Sequence, residues 1–486
     1  MSGKYRIEHD SMGELQVPAE ALWGAQTQRA VENFPVSGQR MPRAFIRALG
    51  LIKASAAEVN TGLGLLPKGV GRAIRAAALD VAAGGHDAHF PIDVYQTGSG
   101  TSSNMNANEV IAMLANQGGK AGKTRVHPND HVNLGQSSND VIPTAIRVSA
   151  QLQTVETLLP ALRHLRRTID RRGRALGKVV KTGRTHLMDA MPLTFAQEFG
   201  AWSAQLESAQ GRIEDALKRL RRLPLGGTAI GTGINADPRF GGNVARALSA
   251  ATGTRFESAQ NKFEGLAAQD DAVELSGQFN ALAVALIKIA NDLRWMNSGP
   301  LAGLGEVELP ALQPGSSIMP GKVNPVIPEV MNQVAFEVIG NDITVTMASE
   351  AGQLQLNAFE PIMGWSLFKS IQHLSRACNT LQKNCVEGIE ANREFLAKRV
   401  RESVTLVTAL NPLIGYEKAA LIAKTALATG GPIDLVAESL GIMTRAEMEA
   451  LLVPEHLTQP VRLSTPVSPA AVPAGMEAAN QLPSAP

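Results

Sequence analysis

The segment from Leu275 to Met296 limits the architecture more than any other part of the chain. Leu275, Phe279, Leu282, Leu286, Ile289, Leu293 and Met296 recur at spacings of three and four, the repeat of one helix face. Ala281, Ala283, Val284, Ala285, Ile287 and Ala290 make the other faces apolar as well, and Gly299-Pro300 stops the pattern. At about 1.5 Å per residue this helix runs for roughly 40 Å. A helix apolar all round belongs inside something larger than one chain's bundle. Helical periodicity near 144–172, 197–222, 328–348 and 366–388 brings the number of long helices to about five, antiparallel by their connections. The expected fold is all-α: a central long-helix bundle that assembles with copies of itself, flanked by two smaller, mostly helical domains. The expected limits are 1–137 for the N-terminal domain, 138–393 for the bundle, 394–457 for a small C-terminal domain and 458–486 for a disordered Pro/Ala/Ser-rich tail.

Charge excludes some partners. Lys and Arg number 46 against 44 Asp and Glu, a net +2, so no electrostatic footprint for nucleic acid or an anionic membrane exists and any charge that matters is local. With 44% apolar residues in 486, the chain has ample material for a large core. The opening MSGKYRIEHDSMGEL has no apolar stretch of the kind that targets secretion, and no run of 18 apolar residues occurs, so a soluble cytoplasmic protein is expected. Cys378 and Cys385 lie seven apart in a helical segment, two turns and too far for a disulfide, and are expected to stay reduced. The closest histidine pairs, His86/His89 and His127/His131, lack Cys partners and the H-E-x-x-H pattern, so no metal site is expected. Gly226-Gly227-Thr228-Ala229-Ile230-Gly231-Thr232-Gly233 has a dinucleotide-like spacing through Ala236 but follows the helical KRLRRL instead of a strand, so a tight glycine turn between helices is expected.

Four polar stretches interrupt the helical pattern. Gly315-Ser316-Ser317-Ile318-Met319-Pro320-Gly321-Lys322-Val323-Asn324-Pro325 holds two Gly and two Pro, which rules out a regular element and presents hydroxyls, an ammonium and an amide from a loop. A helical pattern begins after Pro328 with Glu329 and Val330, and hydroxyls, one cation and a helix start suit a small carboxylate. Gln96 to Asn106, with Ser99, Gly100 and Thr101, runs into a helix and, taken alone, reads first as an elaborate N-cap. His127-Pro128-Asn129-Asp130 and Gln136-Ser137-Ser138-Asn139-Asp140 form a cluster that turn chemistry also accounts for, before a long helix expected to start at Pro143. The fourth, Thr182-Gly183-Arg184-Thr185-His186-Leu187-Met188-Asp189-Ala190, precedes a helix with the stripe Phe199, Trp202, Leu206, Ile213, Leu217 and Leu220. The first forty residues read as an irregular lead-in with a short hairpin.

GSSIMPGKVNP closely resembles the signature loop of the fumarase/aspartase superfamily, and YRIEHDSMGELQVPAEALWGAQTQRAVENFPVSG, GRTHLMDA and LVTALNPLIGYEKAALIAKTAL resemble class II (fumarase C type) fumarases. The likeness covers about residues 5 to 457, with four motifs in the family's order. It implies the family's fold, a homotetramer with active sites shared between subunits, no cofactor, and reversible anti addition of water to fumarate giving (S)-malate, a step of the tricarboxylic acid cycle. It further implies that Ser316 is the general base and His186 the group that protonates the departing hydroxyl, with Glu329 orienting His186. Ser99, Gly100, Thr101, Ser137, Ser138, Asn139, Thr185, Ser317, Lys322, Val323 and Asn324 are then substrate contacts, and His127, Pro128, Asn129 and Asp130 a secondary carboxylate site. Gly135 departs from the Ser that fumarases commonly carry there. Residues 351–361, AGQLQLNAFEP, look closer to aspartases, whereas His186 stands where aspartases usually have Gln. Aspartate ammonia-lyase is thus the competing activity; a non-catalytic helical scaffold would need the helices but none of the polar motifs.

Overall fold

A computed structural model of the chain describes residues 5–119 and 124–460; the predicted tail lies, from residue 461 on, outside them. The chain opens on a hairpin of β1 (Tyr5–Asp10) and β2 (Gly13–Pro18), antiparallel with Asp10 opposite Gly13. Then follow α1 (Ala25–Asn33), α2 (Arg43–Gly62), α3 (Lys68–Ala83), α4 (Thr101–Gln117), α5 (Ser138–Gln153) and α6 (Leu159–Ala175). A second hairpin, β3 (Val180–Thr185) with β4 (Met188–Thr194), leads into α7 (Phe195–Leu220), and α8 (Phe240–Thr252) and the short α9 (Lys262–Ala267) precede the longest helix, α10 (Asp270–Met296). After the signature loop come α11 (Val326–Glu350) and α12 (Glu360–Asn384), then α13 (Arg393–Glu402), α14 (Asn411–Ile414), α15 (Tyr416–Thr429), α16 (Ile433–Ser439) and α17 (Arg445–Leu451). The fold is all-α; the only strands among the described residues are short two-stranded pairs.

Two compact units can be distinguished. The first holds the described residues up to Arg166, Ala204–Asp292 and Val326–Lys383; the second holds Arg167–Ser203, Leu293–Pro325 and the described residues from Asn384 onward. In the first unit, the periodic positions of α10 and α12 form a dry core: Leu275, Phe279, Leu282, Leu286, Ile289, Leu367, Ile371 and Leu374 are all fully buried. Apolar packing sets no register by itself, and amide pairs supply it. Asn280 donates to Asp342 and Asn332 to Asn291 between α10 and α11, and Asn341 donates to Ser370 between α11 and α12. A slipped helix would leave these amides unpaired in the interior, at about 1–3 kcal/mol each. In the second unit, Leu406, Leu410, Ile422, Ile433, Val436 and Met448 close a small separate core.

Helix α10 has the length and mean hydropathy of a membrane span, 1.3 over its most apolar stretch, although the sequence holds no unbroken apolar run of that length. Half of that stretch is buried against the protein, which is the behaviour of a core helix. Cys378 and Cys385 are unpaired and buried, and burial pushes both thiols up to about 12, so neither forms a reactive thiolate near neutral pH.

Candidate active site

Two helix N-termini lie side by side in the first unit. At α4, Gly100 adopts φ +68°, a left-handed conformation that costs glycine nothing, and a Cβ there would stand 2.8 Å from Ile142 of α5. This close approach sets Ser99 and Thr101, whose hydroxyls lie 3.0 Å apart, beside the start of α5. Helix α5 begins at Ser138, not at Pro143, because Ser137 and Asp140 form a reciprocal capping box: Ser137 N–H donates to Asp140 Oδ1 at 2.9 Å and Asn139 N–H to Ser137 Oγ at 3.2 Å. Pro143 sits inside the helix. Two helix starts, by their dipoles and the N–H groups that the caps leave open, favour an anion between them.

Asp140 does more than cap. Its Oδ2 accepts the N–H groups of Gly226 and Thr228 at 2.9 Å each, and Asn139 Nδ2 donates to Ala229 O at 2.8 Å, so the glycine-rich turn is moored to the Ser137–Asp140 stretch. Burial pushes the Asp140 carboxyl up to about 6, opposed by these amides and by Lys53, while burial brings Lys53 down to about 7. The turn Gly226–Gly233 follows a helix and a short strand and makes no dinucleotide fingerprint.

The aspartase-like residues 351–361 bear directly on the first stretch. They form a turn closed between Gln353 and Leu356 that enters α12 at Glu360, and Glu360 N–H donates to Gly98 O at 3.0 Å. A Cβ on Gly98 would fall 1.7 Å from Ala358 O, so only glycine fits. Gly98→Ala is therefore expected to displace the Ser99–Thr101 stretch, lowering stability by about 1–3 kcal/mol and raising KM, as thermal melts and initial rates would show. Unchanged values of both would mean that the contact does not position the stretch. Behind it, Gln269 Nε2 donates to the buried Glu360 at 3.0 Å and Arg147 donates to Gln269 at 2.8 Å; burial holds the Glu360 carboxyl well above its ordinary value.

In the second unit, His186 and Leu187 are the two turn residues of the β3–β4 hairpin, with φ of +55° and +63°. Such angles at non-glycine residues are strained and concentrate at functional positions. Thr185, His186, Leu187 and Met188 are all exposed. Behind the tip the hairpin is tied down by ion pairs: buried Glu306 binds Arg184 at 2.5 Å and Lys181 at 2.9 Å.

The signature loop is clamped at its neck. Gly315 N–H donates to Lys322 O at 2.7 Å, and Asn324 Nδ2 donates to Gly315 O at 2.9 Å. Within the loop, Ser316 Oγ accepts the N–H groups of Ile318 at 3.2 Å and Met319 at 3.1 Å. Ser317, Lys322 and Val323 are exposed. The side chains of His186, Ser317, Lys322 and Glu329 make no hydrogen bond or ion pair among the described residues, and α11 starts at Val326, two residues earlier than its apolar pattern indicates. His127 to Asp130 form an exposed π-turn in which Asp130 N–H donates to His127 Nδ1 at 3.2 Å. Two cavities, of 510 and 280 Å³, are lined by none of the sequence-predicted site residues. Among the described residues no group of three His, Cys, Asp or Glu gathers as a metal site. Lys53 and the Asn104–Asn133 pair escaped sequence reading, because a lysine in an apolar helix carries no motif.

Residues 13–340 match a family model described as Lyase, and residues 406–459 one described as Fumarase C C-terminus. A class II fumarate hydratase of Xylella fastidiosa is 64% identical over 458 residues, 94% of this chain and 96% of that protein. One of Mycobacterium tuberculosis is 52% identical, covering 88% and 89%. The crystal structure of class II fumarase from Schistosoma mansoni superposes with a TM-score of 0.91 at 37% identity, covering 94% of this chain and 99% of that one. The chain belongs to this lyase family and, within it, to the class II fumarate hydratases.

Proposed function

We propose that the chain catalyses the reversible anti addition of water to fumarate, giving (S)-malate. The observation that carries the reading is 64% identity, over nearly the whole of both chains, to a class II fumarate hydratase. In the dehydration direction a proton must leave a carbon beside a carboxylate, and the aci-carboxylate that forms concentrates two negative charges at one end. Ser316 is the proposed base. The two amides directed at its Oγ stabilise an alkoxide, a support visible only in the folded loop. Lys322, whose ammonium has no partner in the described chain, and Asn324 are assigned to the aci-carboxylate. His186 protonates the departing hydroxyl, directly or through water, and Glu329 is assigned to orient it. Ser99, Gly100, Thr101, Ser137, Ser138, Asn139, Thr185, Ser317 and Val323 are read as the remaining substrate contacts, and His127–Asp130 as a secondary carboxylate site.

The working form is read as a cytoplasmic homotetramer with sites shared between subunits. Support for self-assembly comes from α11, where Val330, Phe336, Ile343 and Met347 are 42–60% exposed, with Val284 of α10 57% exposed. Apolar side chains repeating along a long helix call for a covering surface, and the site residues without partners in one chain fit the same reading.

The test of substrate is direct. Expelling hydroxide needs a proton on oxygen, whereas ammonia leaves from an amine already protonated, so a histidine at position 186 serves the first reaction. Ultraviolet absorbance is expected to show fumarate forming from malate and none from aspartate. Fumarate from aspartate with ammonia release, and none from malate, would overturn the reading in favour of an ammonia-lyase and make the turn at 351–361 the better guide.

A further inference from the structure

Lys53 projects from the middle of α2 into a fully buried site, and no part of the proposed chemistry uses it. Its Nζ donates to Asn133 Oδ1 and to Gln136 Oε1, both at 2.9 Å. An amide side chain can face either way, and two N–H bonds on the oxygens settle the question: both NH2 groups turn outward, Asn133 Nδ2 to Gln136 O at 3.2 Å and Gln136 Nε2 to Val132 O at 3.1 Å. The turn that delivers Ser137 is thereby locked. Asn133 Oδ1 also accepts Asn104 Nδ2 and Asn108 Nδ2 of α4, each at 3.2 Å. With its NH2 drawn towards Asn133, Asn104 can present only N–H to its other neighbour, Ser138, whose Oγ it reaches at 3.0 Å. A hydroxyl that accepts from behind has its own proton free to donate forward. Lys53 and Asn104 meet on one oxygen, so the link between them is one of orientation, and both bonds from Lys53 survive loss of its third proton.

We infer that Lys53 is a positioning residue, which through Asn133 and Asn104 fixes the Ser138 hydroxyl as a hydrogen-bond donor towards a substrate carboxylate. The inference rests on the reading of Ser138 as a substrate contact. Lys53→Met keeps the volume and removes both donors; Asn133 is then held only by the neutral amide bonds from Asn104 and Asn108 and to Gln136 O, its side chain can shift, and Ser138 can spend its proton on an amide oxygen.

A double-mutant cycle tests this in the full-length enzyme, with malate as substrate. Ser138→Ala is expected to raise KM roughly ten- to hundredfold, the cost of a hydrogen bond to a charged group. Lys53→Met is expected to raise KM about tenfold with kcat held within about threefold, and to add little in the Ser138→Ala background, because the two act on one interaction. Should Lys53→Met fail to fold, Asn104→Ala enters the same cycle in its place. Additive effects on KM, or a loss confined to thermal stability and kcat, would assign Lys53 to structure alone and overturn the inference. An unchanged KM in Ser138→Ala by itself would instead remove Ser138 from the site, and the inference with it.

Discussion

Ser316→Ala is expected to lose about a hundred- to ten-thousandfold in turnover, the range for removing a general base, while dicarboxylate affinity and melting temperature change little. The loop's geometry explains why the loss should be confined to kcat. Its neck is closed by Gly315 with Lys322 and by Asn324 with Gly315, none of which involves the Ser316 side chain. What disappears is one half-buried oxygen, which leaves the Ile318 and Met319 N–H groups without that acceptor. Single-turnover rates set against equilibrium binding of a non-reacting dicarboxylate separate the two quantities. Near-normal turnover would move proton abstraction to another group, with Ser317 the first to examine.

In the proposed homotetramer with shared sites, hybrids should regain activity that neither parent has. His186→Asn and Ser138→Ala chains, each nearly inactive when assayed well below the normal KM, are expected after co-refolding to recover a substantial part of the wild-type rate, because some sites then draw both intact residues from different chains. Asn is chosen at 186 because it tolerates the left-handed angle held there. His186 stands exposed at a hairpin tip, whereas Ser138 is held from behind by Asn104. Hybrids that stay inactive, with mixed composition verified by mass, would count against shared sites.

The helices were readable because burial repeats along them: the stripe of α10 from Leu275 to Met296 is the buried stripe of the structure. Chemistry-bearing stretches were readable as departures from that repeat. Local geometry was not. Pro143 draws the eye as a helix start, yet a proline is tolerated within α5 and the capping box at Ser137 sets the true beginning. Residues 351–361 carry no period that betrays their contact with Gly98, since the partner is distant in the chain. Likewise the amides on Ser316 Oγ come from backbone groups that every sequence has and only one conformation aims. Lys53 shows the same limit in a side chain, an apolar helix position by pattern that turns out to organise two amides on the approach to α5.

The seat of Gly98 against Ala358 and Glu360 also dates the site within synthesis. On a ribosome adding about 5–20 residues per second, the roughly 260 residues between these partners take on the order of 10–50 s to emerge. During that interval α2, α3 and α4 can pack, but the stretch bearing Ser99 and Thr101 has no wall to lean on. The proposed carboxylate contacts Ser99 and Thr101 therefore gain this support late in synthesis, and any fragment ending before Ala358 carries the motif without it.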